Sequence, residues 1–183
     1  VFAMLMPSFL RRKLRVVIPS KMMVLFAVFL YCAIFLGEVR SFYYNVPHWD
    51  TILHTFSGAM LGALGFSVIN FLNRTDRVPM NLSPAFVAFF TLCFAVFLGV
   101  VWEFYEFSAD GILHTNMQKF ALESGEPLVG RAALMDTMKD LIVDTIGAFV
   151  MAVIGYISIK YQKGWVEKFQ LHREKKKSRS SES

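Results

Sequence analysis

"DTMKDLIVDTIGAFVMAVIGYISIKY", residues 136–161, holds the two facts that decide the fold. From Ile146 to Ile159 no residue carries a charge, and Asp140–Tyr161 is long enough to cross a bilayer, which takes about 20 predominantly apolar residues. Yet the segment opens with Asp136, Asp140 and Asp144, spaced by fours and therefore on one face of a helix. At about 1.5 Å per residue, Asp144 stands roughly 12 Å along the helix from Asp136, below the headgroups. An ionised Asp at mid-span costs on the order of 3 kcal/mol on insertion scales, so such a residue faces a cavity or a partner.

Three earlier segments repeat the pattern of a long apolar block. They run over about 21–37, "KMMVLFAVFLYCAIFLG", over 51–72, "TILHTFSGAMLGALGFSVINFL", and over 85–107. Composition agrees, because only 18% of the 183 residues are charged and 55% are hydrophobic, against about 25% charged in soluble domains. The expected fold is all-α: a polytopic transmembrane helix bundle of four spans. Residues 1–20 form a basic N-terminal segment, 21–161 the membrane domain, and 162–183 a basic tail expected to be disordered. The chain begins with Val, and "VFAMLMPSFL" reads as the end of an earlier apolar segment, a truncated span preceding the four. Its basic residues follow that apolar stretch, the reverse of a secretory signal. Cys32 and Cys93 lie inside apolar blocks, so no disulfide is expected.

The net charge of +5 does not point to nucleic acid, because the cations sit in short segments around the apolar blocks. Arg11, Arg12, Lys13, Arg15 and Lys21 precede the first span, Arg74 and Arg77 join the second to the third, and Lys160, Lys163, Lys168, Arg173 and Lys175–Lys177 follow the fourth. With four spans all three groups fall on one side, and the positive-inside rule makes that side, and both termini, cytoplasmic. The expected location is the inner or plasma membrane, with the tail touching anionic lipid. Pro84 is suited to opening the third helix.

Under that topology the polar residues gather near the outer boundary. Asp50 and His54 open the second span, Glu103 and Glu106 end the third, and Asp136, Asp140 and Asp144 lead into the fourth. Some have simple explanations: N-capping for Asp50 and Asp136, a turn beside Gly111 for Asp110, and surface or interfacial positions for His48 and His114. Glu103 and Glu106 are placed at a helix C-terminus, where the dipole disfavours negative charge, so capping does not explain them. Gly58, Gly62 and Gly65 give the second span a small-residue stripe, and Gly147 and Gly155 do the same on the fourth, allowing close approach.

So many carboxylates repel unless a cation joins them. A divalent ion, Zn, Mn, Fe or Mg, suits one imidazole with several carboxylates; Lys139 and Arg131 offer partial neutralisation instead. His54, Glu103, Glu106, Asp140 and Asp144 are the candidate metal residues, with Asp50 and Asp136 as supporting catalytic carboxylates. The leading expectation is a metal site open to the outer face that acts on or binds a lipid-linked or cell-envelope substrate. If it is an enzyme, it is a metal-dependent membrane hydrolase whose ion activates water and whose spare carboxylate serves as base. A proton- or cation-coupled transporter is the alternative, although Asn70, Ser67 and Thr91 are a thin polar route to the other side. A non-catalytic subunit of a membrane complex, with a membrane-protein partner or a second copy of itself, is the third reading.

"WDTILHTFSGAMLG", "WEFYEFSAD" and "DTMKDLIVDTIGA" resemble the motifs of the YjdF-like family of bacterial inner-membrane proteins. That pattern runs Asp-x-x-x-His, a Tyr-Glu helix end, then Asp-Thr-x-x-Asp, and Asp50, His54, Glu103, Glu106, Asp136 and Asp140 fall on it. A looser resemblance is to VanZ-like proteins, which share Asp-x-x-x-His, a Glu and Asp-x-x-x-Asn-x-x-Gly. Asp140 and Gly147 fit, whereas Asp144 stands where that pattern has Asn. The second resemblance implies a role at the cell envelope and in glycopeptide tolerance.

Overall fold

Four helices among the described residues are long and apolar enough to cross a membrane: Ser20–Val39, Trp49–Asn70, Pro84–Leu113 and Arg131–Lys160. They belong to a computed structural model that describes residues 16–17, 19–73, 82–122, 124–165 and 172–173. The expected all-α bundle of four spans is therefore the observed one. Most of residues 1–20 and of the tail 162–183 lie outside the described residues, as do Arg74 and Arg77. What is described of these ends includes a two-residue antiparallel pairing of Val16–Val17 with His172–Arg173.

Local chemistry explains the helix ends. Ser83 caps the third span, its hydroxyl accepting from the Phe86 N–H at 3.2 Å, and Pro84 follows at the first helical position as expected. His114 closes that helix in the left-handed conformation (φ 55°). The fourth begins after Gly130, whose φ of 62° suits a residue without Cβ. The first span changes character at Tyr31, continuing to Val39 as a π-helix, and Arg40 N–H reaches back five residues to the Phe35 carbonyl at 2.9 Å.

The third and fourth helices are longer than expected. The third runs on from 107 to Leu113, and the fourth starts at Arg131 instead of 140. Gly111 does not break a helix whose neighbours favour it, and "RAALMDTMK" is itself helix-forming. Glu103 and Glu106 consequently lie ten and seven residues before the helix end, and the dipole argument made for them does not apply. Asp136 sits in the second turn of its helix and Asp50 in the first, and both side chains pair with Lys119, so capping explains neither.

Spans two, three and four pack on one another, while the first stands at the edge with almost none of its residues buried. Buried positions on the third span recur every three or four residues: Val87, Thr91, Ala95, Gly99, Glu103, Glu106 and Asp110. One seam thus begins apolar and ends acidic. At its apolar end Phe66, Ile69 and Val87 form the hydrophobic core, and Phe66 fills the space left by Gly155. At the acidic end a Cβ on Gly58 would strike the Asp144 carbonyl, and one on Gly147 the Thr55 carbonyl. Lipid gives helices no hydrophobic reason to associate, so this close van der Waals packing and the polar contacts must hold them.

Candidate functional site

His54 is the centre of the acidic end. Its Nδ1 lies 3.4 Å from Asp144 Oδ2, and its Nε2 lies 3.7 Å from Asp50 Oδ1 and 3.8 Å from Asp140 Oδ2. The one-turn spacing of Asp50 and His54 on the second span, and of Asp140 and Asp144 on the fourth, sets these two pairs facing each other. Asp140 is 1% exposed, and His54 and Asp144 are also buried.

The remaining carboxylates have their own fittings. Ser57 Oγ lies 2.8 Å from Asp144 Oδ1 and 2.8 Å from the His54 carbonyl, so its single proton serves one acceptor at a time. Trp102 Nε1 donates to Glu106 Oε1 at 2.9 Å. Gln118 Nε2 donates to Glu103 Oε2 at 3.3 Å and to Thr137 Oγ1 at 3.0 Å. Glu103 Oε1, Asp136 Oδ2 and Asp140 Oδ1 are buried with no hydrogen-bond partner among the described residues.

The connection between the third and fourth spans supplies the cation. Lys119 Nζ pairs with Asp50 Oδ2 and lies 3.3 Å from Asp136 Oδ1, 5.9 Å from the centre of the Tyr43 ring. Burial works against the ammonium, but the Asp50 and Asp136 carboxylates outweigh it and hold Lys119 above its ordinary pKa. Burial, reinforced by Asp50, also raises the Tyr43 phenol. Gly37 of the π-helical stretch leaves the room in which that ring sits.

Asp110 fastens this connection, and it is not the turn residue expected from the sequence. It is buried within the third helix, where Oδ1 accepts from Thr115 Oγ1 at 2.6 Å and Met117 N–H at 2.7 Å, and Oδ2 from Gln118 N–H at 3.0 Å.

The sequence motifs, the four spans and this site all lie within residues matched by one family model, which covers 1–161. The chain belongs to DUF2238, a family of predicted membrane proteins. A Thermotoga maritima protein described only as uncharacterized is 33% identical over 139 residues, covering 75% of this chain and 62% of that protein. The match thus spans less than two thirds of the relative's length. No solved structure matches.

In this DUF2238 chain the compact donor set is Asp50, His54 and Asp140, whose ligand atoms all lie within 4.8 Å of one another. Metal–ligand bonds of about 2.1 Å in tetrahedral array separate donors by roughly 3.4 Å. The observed 3.7 and 3.8 Å from His54 Nε2 are somewhat longer, and the three side chains would close in around an ion. Asp140 offers Oδ2 to this set, and its Oδ1 is buried without a hydrogen-bond partner among the described residues. Asp144 Oδ2 lies against Nδ1, so the His54 tautomer protonated at Nδ1 would present Nε2 as an acceptor toward Asp50 and Asp140. Glu103 and Glu106 share the buried seam but spend one oxygen each on Gln118 and Trp102. Lys119, Ser57, Gln118 and Asp110 were missed in the sequence. Only Lys119 left a signal there, as one of few cations in a loop that meets the acidic helix ends.

Proposed function

We propose that the protein holds a divalent cation at Asp50, His54 and Asp140 and uses it on a lipid-linked or cell-envelope substrate, in a metal-dependent hydrolysis. The observation that carries this reading is the convergence of three donor atoms from two helices, one of them on an almost wholly buried aspartate with an unsatisfied oxygen. Asp50, His54 and Asp140 would hold such a cation, and the chemistry it would supply there is Lewis-acid activation of water. Asp144, steadied by Ser57, orients His54 through Nδ1. Asp136 Oδ2 and Glu103 Oε1, both without a partner among the described residues, are the carboxylate oxygens outside the donor set available to take a proton. The cation bias of the loops supports an extracytoplasmic position for this end, and the looser likeness to VanZ-like proteins also favours an envelope substrate.

A transport role needs a polar path to the other face. Below Glu103 the buried seam continues through Gly99, Ala95, Thr91 and Val87, and Thr91 alone among these is polar. That favours a site served from one side. Elemental analysis of the purified protein after exposure to Zn, Mn, Fe and Mg tests the reading. About one equivalent is expected in the wild type, lost in Asp140→Asn and His54→Ala. A well-folded wild type that retains none of the four sinks it and leaves a purely structural acidic cluster. A reporter fused to the C-terminus tests the orientation: a tail found outside would move the site to the cytoplasmic face.

A further inference from the structure

Asp50 divides its two oxygens. Oδ1 faces His54 Nε2 at 3.7 Å, while Oδ2 accepts from Lys119 Nζ. The same ammonium lies 3.3 Å from Asp136 Oδ1, and Asp136 Oδ2 is buried and unpartnered. One turn further along that helix stands Asp140, almost wholly buried, with Oδ1 also unpartnered. Two cation positions therefore lie side by side: one among Asp50, His54 and Asp140, the other between Asp50 and Asp136. Asp50 bridges them, and Lys119 fills the second.

We propose that Lys119 is a tethered cation occupying the second metal position of a carboxylate-bridged site, and so fixes the site at one divalent ion. The inference rests on the metal reading above and adds what decides its stoichiometry. The chain holds Lys119 there at some cost. Its φ of 47° is left-handed, which a residue with a Cβ adopts only when its surroundings impose it. The surroundings are Asp110, which grips Thr115, Met117 and Gln118 just before it, and Asn116, whose carbonyl accepts from Lys119 N–H at 3.2 Å and whose side chain holds Ala121 just after it. An ammonium carries half the charge of a divalent ion on a flexible stem. It neutralises the outer carboxylates without offering a second Lewis acid, and its presence repels a second metal ion.

The test is titration of metal-depleted protein in detergent with Mn²⁺, read by elemental analysis and by electron paramagnetic resonance. Wild type and Lys119→Arg are expected to bind one Mn²⁺. Lys119→Met, which keeps most of the stem and removes the charge, is expected to bind two, with the spin-coupled spectrum of ions sharing a carboxylate. Adding Asp136→Asn to Lys119→Met should return the count to one. Asp110→Ala, which loosens the connection that carries Lys119 and leaves the Asp50, His54 and Asp140 donors in place, should admit a second Mn²⁺ at concentrations where the wild type holds one, and guards against a Lys119→Met variant that fails to fold. A folded Lys119→Met that binds one Mn²⁺ with wild-type affinity overturns the inference while the metal reading stands. A wild type that binds none removes both.

Discussion

Asp110 is the residue whose replacement has the most calculable outcome. Asp110→Ala removes three hydrogen bonds, two on Oδ1 at 2.6 and 2.7 Å and one on Oδ2 at 3.0 Å, and leaves the Met117 and Gln118 N–H groups to find water. Bonds to a charged acceptor are worth about 1.5–3 kcal/mol each when intact. The released groups lie near the surface and regain solvent, so a total of about 3 kcal/mol for docking of 114–119 is the reasonable figure. That makes opening of the connection roughly 150-fold more frequent. Asp110→Asn separates the contributions. Its carbonyl can stay where Oδ1 is and keep two bonds, but its NH₂ then confronts the Gln118 N–H. The loss should be about 1–1.5 kcal/mol, or roughly tenfold in opening. Hydrogen exchange of the Met117 and Gln118 amides measures this directly, with the fourth-span amides as an internal reference. Exchange in Asp110→Ala within about threefold of wild type would refute the clamp, as would an Asn variant as exposed as the Ala one.

Three further outcomes follow from the same coordinates. Gly58→Ala drives a methyl into the Asp144 carbonyl and should destabilise the bundle by about 1–3 kcal/mol, whereas Gly111→Ala meets nothing within 4 Å and should be neutral or stabilising by up to ~1 kcal/mol; equal melting temperatures in detergent would contradict the packing. Lys119 titrates above its ordinary value of 10.5, so its pairing contributes fully below that pH and is lost only as pH rises through the higher folded value. Tryptic cleavage after Lys119 should therefore stay slow from about pH 7 to pH 10, and a steep rise within that range would count against the ion pair. A divalent ion at about 100 times its dissociation constant should stabilise the wild type by roughly 2.7 kcal/mol; an equal thermal shift in Asp140→Asn would place the ion elsewhere.

The spans were legible because lipid imposes a length on apolar blocks, and the acidic faces because four-residue spacing fixes a helix side. Helix ends were less so. Polar residues at 108–113 and 131–139 look like loop in a search for membrane spans, yet nothing in them stops a helix that has left the hydrocarbon. Misplacing those ends turned Asp110 into a turn residue and Glu103 into a terminal one. Lys119 was out of reach for a different reason: its partner Asp50 is 69 residues away, and the connection that delivers it is held by Asp110, itself a product of the longer helix, by Gln118 and by Asn116. The π-helical stretch at Tyr31–Val39 has no sequence signature that we can identify.

The glycines and the acids are parts of one device. Gly58 and Gly147 let the second and fourth helices touch backbone to backbone at the level of Asp144, and at Gly99 a Cβ would stand only 3.1 Å from Asp144 Oδ2. Such contact squeezes water from between carboxylates, which raises their mutual repulsion just where the helices most need to adhere. Six acids, Asp50, Glu103, Glu106, Asp136, Asp140 and Asp144, share these elements with His54, Lys119 and Lys139, the last acting on Asp136. Even with all three of these charged the balance is negative unless protons or a metal ion make it up. Tight packing therefore concentrates negative charge at this end of the bundle, and a stripe of larger residues in place of the glycines would relax the repulsion by letting water in and spreading the acidic side chains apart.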